Sequence, residues 1–438
     1  MSLEELRSRM TNDEAYIRMA IVGGQVFMFY TDHSEAKAYK VALTESALDQ
    51  QVDQIRESVS VFENGQYVTY PFDIEAARKL YKDLFSPLSD RFAGKRHLIF
   101  EPDGAMLRLP INLLVMDDQS VDTYLTRSEQ PDGDPFNFMG VNWLGRDLDI
   151  STAVSARAFS DSRQAPESTA SREYLGLGRN APVSATSQIA TTRGATGTAS
   201  NCEWPIDQWN SPISDSELFK AQSLIGNSSA EVLTGKAFTD RQIMEKGNLD
   251  DYRIVHFATH GLVTPPSPSC PARPALVTSF DEKNSDGLLG FDEIFDLKLD
   301  ADIVILSACD TAGKASIQAT REAGVSSGGG TALDGLVRSF IGAGSRSVLA
   351  SHWPAPDDFE ATERLISGLF TNGQGQKITT ALRNSQTALM NDPLTSHPYY
   401  WAGFALIGDG ARTFLDDRKG ALTATGNSAN DTSEQLLH

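Results

Sequence analysis

The sequence predicts an α/β protein built in three layers, with a mostly parallel sheet between two sets of helices. From Glu217 to Asp409 short apolar runs alternate with segments of helical spacing, and strands separated by helices imply right-handed crossovers and parallel pairing. The first 160 residues or so alternate in the same way. Two runs, YRIVHFATHG (252–261) and ADIVILSACDTAG (301–313), are apolar enough to be strands buried on both faces, each ending in a reactive side chain.

Taken in order, YIRMAIVGGQVFMFYT gives two β-rich runs around Gly23-Gly24, a hairpin signal. ESALDQQVDQIRESVSVF carries Leu48, Val52, Ile55 and Val59 at helical spacing, and FDIEAARKLYKDLFSPLSDRF continues as helix up to Pro87. KRHLIFEPDGAMLRLPINLLV is a strand, a turn at Pro102-Asp103-Gly104 and a second apolar run without a nucleophile. Residues 161–216 are rich in Ser, Thr, Ala, Gly, Pro and Asn, with REYLGLG the one readable strand. Within them 179–212 is expected to be an exposed, protease-sensitive excursion, because so few large apolar residues cannot offset the entropy of ordering. Beyond it come helix 218–225, strand 230–233, helix 239–247, a strand ending at His260, helix 291–296 and a strand ending at Cys309. A glycine-rich loop, helix 333–342, strand SRSVLASHW, helices 358–370 and 376–391 and strand WAGFALIGD complete the pattern. No internal repeat occurs at a period of 20–50 residues.

Composition excludes several classes of function. A formal charge of −20 disfavours a nucleic-acid partner, which would be held by clustered Lys and Arg, and reads either as a solubility device or as a preference for basic partners. Cys202, Cys270 and Cys309 stand in unrelated contexts without C-x-x-C spacing, so neither a disulfide framework nor a metal site is expected, and no cofactor. No apolar run reaches the ~18 residues of a membrane span, and MSLEELRSRMTNDEAY is charged throughout, unlike a signal peptide; a cytoplasmic protein is the default expectation.

In a parallel α/β sheet functional groups gather beyond the carboxyl ends of the strands, where His260 and Cys309 both stand. Gly261 would let the chain turn sharply after the histidine and keep its amide approachable. A thiolate attacks a carbonyl carbon, and a neighbouring imidazole generates it. Alone, such a cysteine is usually inert packing and such a histidine a satisfied polar group; the two together, at the tips of adjacent units, favour a Cys-His dyad.

HFATHG, LSACDTAG, GLVRSFIGAGSRSVLASHWPAPD and HPYYWAGFALIGD, in this order, resemble the CHAT family, bacterial caspase-like domains commonly found beside tetratricopeptide repeats. FDIEAARKLYKDLFSPL and HLIFEPDGAMLRLPINLLV match the family's first half, so the resemblance spans nearly the whole chain except 179–212 and the tail after Ala421. It implies a caspase-like fold with a related non-catalytic half at 1–165, a catalytic half at 166–420 and a disordered tail at 421–438. It also implies a cysteine endopeptidase of the caspase, separase and gingipain clan, acting on a protein or peptide substrate. A regulatory protein or an upstream repeat region would control it, in bacterial defence or cell death. The dyad would be His260 and Cys309, with the amides of Gly261 and Cys309 as oxyanion hole. The family's histidine is the second in HFATHG, which leaves His256 a structural role.

In the same clan the stretch matching Ser351, His352 and Trp353 lines the substrate cleft and pairs with an extended peptide by β-augmentation. Trp353 reads equally as cleft wall or core. Asp357 and Asp358 either select a basic substrate side chain or cap the helix that follows, and Asp310 is a further acidic candidate. The run AGVSSGGGTALDG (323–335) reads as an activation loop; without G-x-x-x-x-G-K-[ST] it does not read as a phosphate cradle. MSLEEL is expected to be an added start on an excised fragment, with a complete short protein as the alternative. The rival is a catalytically silent module that uses the cleft for docking, against which the intact His260 and Cys309 weigh.

Overall fold

A computed structural model describes residues 1–63, 66–183, 207–262, 274–281, 285–309, 330–356 and 358–415. Strands β1 (Glu14–Val22) and β2 (Gln25–Asp32) form the expected hairpin, turning at Gly23 and Gly24 with φ of +58° and +72°. Only glycine takes that pair of angles without strain, and the turn matches the twist of the strands. β3 (Ala36–Thr44) extends the hairpin and runs into the helix Glu45–Val59, whose first turn is capped by the Thr44 hydroxyl. That helix buries Leu48, Val52, Ile55 and Val59, the residues whose spacing predicts it. A small hairpin, β4 (Val61–Glu63) and β5 (Gln66–Val68), precedes the Asp73-capped helix Ile74–Phe85.

The remaining strands are β6 (His97–Glu101), β7 (Asp149–Thr152), β8 (Arg172–Asn180), β9 (Ala230–Gly235), β10 (Tyr252–Leu262), β11 (Ala275–Val277), β12 (Leu288–Gly290), β13 (Ile303–Cys309), β14 (Ser347–Ser351) and β15 (Phe404–Gly408). All but the small hairpin join one sheet. Its main path is β9-β8-β10-β13-β14-β15-β7-β6-β1-β2-β3, and β11 and β12 continue from the far end of β10. From β9 to β14 the strands are parallel; β15 is antiparallel to β14 and parallel to β7, β6 and β1. Strand direction therefore reverses at β15, and β15 meets β7 in a single register pair, Ile407 with Thr152.

Alternation sorts the side chains into two cores. Ile254, Ile303, Ile305 and Leu349 face one way, together with the helices Glu45–Val59, Ala361–Asn372 and Ile378–Met390. Val255, Phe257, Val304 and Leu306 face the other, against the helix Gly330–Gly342. On that second side Tyr16 and Ile99 meet Phe159 of the helix Ala156–Gln164. The result is the predicted three-layer α/β arrangement. Among the described residues no helix is long and apolar enough to cross a membrane.

Four expectations need correction. β10 does not stop at His260: it continues through Gly261 to Leu262, where both residues pair with β11, so no sharp turn follows the histidine. The ends of the 179–212 excursion are built into the fold, with Asn180 and Trp209 buried and the Asn180 amide donating to the Trp209 carbonyl at 2.8 Å. Asp358 does not cap the helix after it. A short 3-10 turn, Asp358–Glu360, intervenes, and Glu360 takes the capping position with left-handed backbone and no side-chain hydrogen bond. Nor does β14 offer an edge for β-augmentation, since β13 and β15 flank it and the next amide, of His352, donates to the Gly403 carbonyl at 2.9 Å. Residues 184–206, Asp310, Asp357, most of the glycine-rich run and the expected tail at 421–438 lie outside the described residues.

Candidate active site

β10 and β13 lie side by side in parallel, with register partners Ile254 and Ile303 at one end and His260 and Cys309 at the other. Neighbouring strands are about 4.8 Å apart, so the backbone brings positions 260 and 309 together at one edge of the sheet. The apolar runs that predict both strands also set this register, because a slip of one residue would exchange the two cores along the whole strand.

His260 is 6% exposed. Its Nε2 lies 2.5 Å from the carbonyl oxygen of Ser211. A carbonyl only accepts, so Nε2 carries the proton. Ser211 belongs to a segment laid across the ends of β8 and β10. The Trp209 carbonyl accepts from Asn180, the Ser211 carbonyl from His260, and the Asp215 carboxylate from Arg179, while Glu217 approaches His256. Thr259, on the opposite face, donates to the Val277 carbonyl at 2.6 Å and ties β10 to β11 beside the histidine.

His256, four residues back on the same face, is fully buried. The Tyr174 hydroxyl lies 2.9 Å from its Nδ1, and its Nε2 faces Ser307 Oγ at 3.1 Å and Glu217 Oε1 at 3.3 Å. Burial, reinforced by Glu217, holds the Tyr174 phenol well above its ordinary pKa, so it stays protonated and donates. With both ring nitrogens engaged, His256 cross-links β8, β10 and β13 beneath the sheet edge.

The other predicted site residues are less evenly placed. Ser351 and Trp353 are largely buried; the Ser351 hydroxyl donates to the Trp353 carbonyl at 2.6 Å, and the indole donates to the Tyr399 carbonyl at 2.9 Å. That geometry makes Trp353 chiefly a core residue. His352 is partly buried and lines a cleft with Met106, Leu109 and Val337, and burial together with Arg56 pushes its pKa down to about 3. Asp358 is exposed, close enough to Tyr400 to raise that phenol's pKa behind the larger effect of burial. The Ser211 carbonyl was not legible in sequence, because every residue has one.

Among solved structures, the separase–securin complex of Saccharomyces cerevisiae matches 92% of this chain and 30% of that one, at 10% identity and a TM-score of 0.48. The Arg-specific cysteine proteinase gingipain R of Porphyromonas gingivalis matches over 84% of this chain and 76% of that one, at 12% identity and a TM-score of 0.38. Tetratricopeptide repeat protein 28 of Mus musculus is 26% identical over 239 residues, 46% of this chain. The matched part is 9% of that relative's length, and the relative is mammalian, which lends nothing to a bacterial setting. The CHAT domain model matches residues 75–409, well over half of the 438, and the chain therefore belongs to the CHAT domain family.

Proposed function

We propose that this chain is a cysteine endopeptidase in which Cys309 is the nucleophile and His260 its base and acid. What supports this above all is the register that pairs the two positions on adjacent parallel strands at one sheet edge. With Nε2–H held by Ser211, His260 takes the thiol proton at Nδ1 and leaves a thiolate. The thiolate attacks the scissile carbonyl and forms the C–S bond; the imidazolium then protonates the departing amine as the C–N bond breaks. Water, deprotonated by His260, cleaves the acyl-enzyme and returns the thiol. The amides of Gly261 and Cys309 are the oxyanion donors of this mechanism, and Ser351 and His352 form its β14 flank; Asp358, together with Asp310 and Asp357 outside the described residues, supplies its acidic candidates for substrate contact. Residues 1–165 serve as the non-catalytic half and 166–420 as the catalytic one. A protein partner or a repeat region controls the activity, in keeping with the repeat protein among the relatives.

A peptide-based thiol-reactive probe tests the assignment. Labelling and peptide cleavage are expected to fall by about 10³-fold or more in Cys309→Ala and His260→Ala, with circular dichroism unchanged, and to persist in Cys202→Ala and Cys270→Ala. Cleavage undiminished in Cys309→Ala would leave the docking-module alternative in its place.

A further inference from the structure

β10 has a second neighbour, β8, which carries a charge that the dyad does not use. Arg179 is exposed between two buried residues, Gly178 and Asn180. The β8–β9 ladder shifts register between those two, and Arg179 has φ +45°. A residue with a Cβ takes that left-handed backbone only at a cost, and a bulge of this kind re-aims one side chain, often beside an active site. Strict alternation would send Arg179 to the side of Leu175 and Leu177, away from His256. Its guanidinium instead reaches Asp215, on the segment that lies over His260, with Nη1 3.2 Å and 3.3 Å from the two carboxylate oxygens. The Arg179 side chain is 59% exposed. With Asp215 15% exposed and the arginine mostly open, the pair adds modest stability, whereas glycine at 179 would adopt the same backbone freely.

We propose that Arg179 is a specificity-determining residue that binds a substrate carboxylate, Asp or Glu, within one residue of the scissile bond, and that Asp215 holds its place in the resting molecule. This rests on the peptidase reading. Two strand spacings of about 4.8 Å separate positions 179 and 309, a gap that an extended arginine largely spans, and its planar fork matches a carboxylate. The cleft then has a cationic end at β8.

Two sets of fluorogenic peptides, identical except for Asp, Glu, Asn or Lys on one or the other side of the scissile bond, provide the test. For one set the acidic peptides should exceed the Asn peptide in kcat/KM by about tenfold or more, as for a hydrogen-bonded charge. That ratio should collapse in Arg179→Gln and in Arg179→Gly, whose backbone suits the bulge, and partly survive in Arg179→Lys. Asp215→Asn should lower KM for the acidic peptides, which a merely structural pair would not do. Binding to Cys309→Ala protein, read by fluorescence anisotropy of the labelled Asp and Asn peptides, needs no turnover. Equal affinity there overturns the proposal even if wild-type protein cleaves both. Tighter binding of the acidic peptide that Arg179→Gln abolishes, in a protein that cleaves nothing, upholds the carboxylate site and overturns the peptidase reading.

Discussion

His397 is a histidine that the fold keeps neutral. Its Nε2–H donates to the Tyr70 carbonyl at 2.9 Å, and its Nδ1 accepts from the Tyr399 amide at 3.1 Å. It thereby caps the short helix Pro398–Trp401, where added positive charge is unwelcome. Burial pushes its pKa down to about 4, so between about pH 6.5 and 4 the unfolded chain binds a proton that the folded one refuses. Stability is full above that window and falls as the pH drops through it. Urea unfolding should show a loss of about 2–3 kcal/mol between pH 7.5 and 4.5 from this group, and His352, depressed in the same direction, adds to it. His397→Asn, which can still cap, should flatten that slope; an unchanged slope would refute the assignment. At this scale the sequence reads unevenly. His260 and Cys309 stand out because each ends an apolar run, and Arg179 does not, because its role depends on a bulge that only the pairing of β8 creates.

Most strands long enough to carry a pattern were legible, the nine-residue β3 excepted, and those made by their neighbours were not. β1, β2, β10, β13 and β14 lie where alternation or apolar runs predict them, whereas β11 and β12 have three residues each and exist because the end of β10 gives them a ladder. The composition of 161–216 likewise concealed Asn180 and Trp209, two polar-context residues that burial recruits. β8 illustrates how narrow the tolerance is. A Cβ on Gly178 would stand 2.3 Å from the Ala258 carbonyl oxygen, part of the β10 backbone two residues before His260, so the strands would have to part. Gly178→Ala should cost about 1–3 kcal/mol in chemical denaturation and reduce peptide cleavage. At Gly176 the nearest atoms belong to the Tyr174 and Val232 side chains, at 3.0–3.2 Å, which can give way. Gly176→Ala should be the milder change in both assays; the reverse order would show that β8 does not support the catalytic edge.

Across the whole molecule, the sheet is continuous but unevenly bonded. Where β15 meets β7 the ladder has one register pair, and side chains make up the rest. Arg163 donates to Glu14 at 2.9 Å and reaches Asp409 at 2.9 Å; Asp149 accepts from Arg383 at 2.7 Å and Thr380 at 2.6 Å. Burial works to raise the Glu14 pKa, but hydrogen bonds from His97 and Arg163 more than offset it and keep the carboxylate ionised. Removing Arg163 strands that buried charge, so Arg163→Met should lower the unfolding free energy by about 3–5 kcal/mol; a loss under about 1 kcal/mol would show that the seam does not depend on it.

A seam laced by charge also makes the identity of a denaturant matter. Guanidinium is the head group of Arg163 set loose in solvent: besides weakening burial, it offers Glu14, Asp409 and Asp149 a replacement partner, which urea does not. One solvent would part the sheet along β15 before its cores give way, and the other would take seam and cores together.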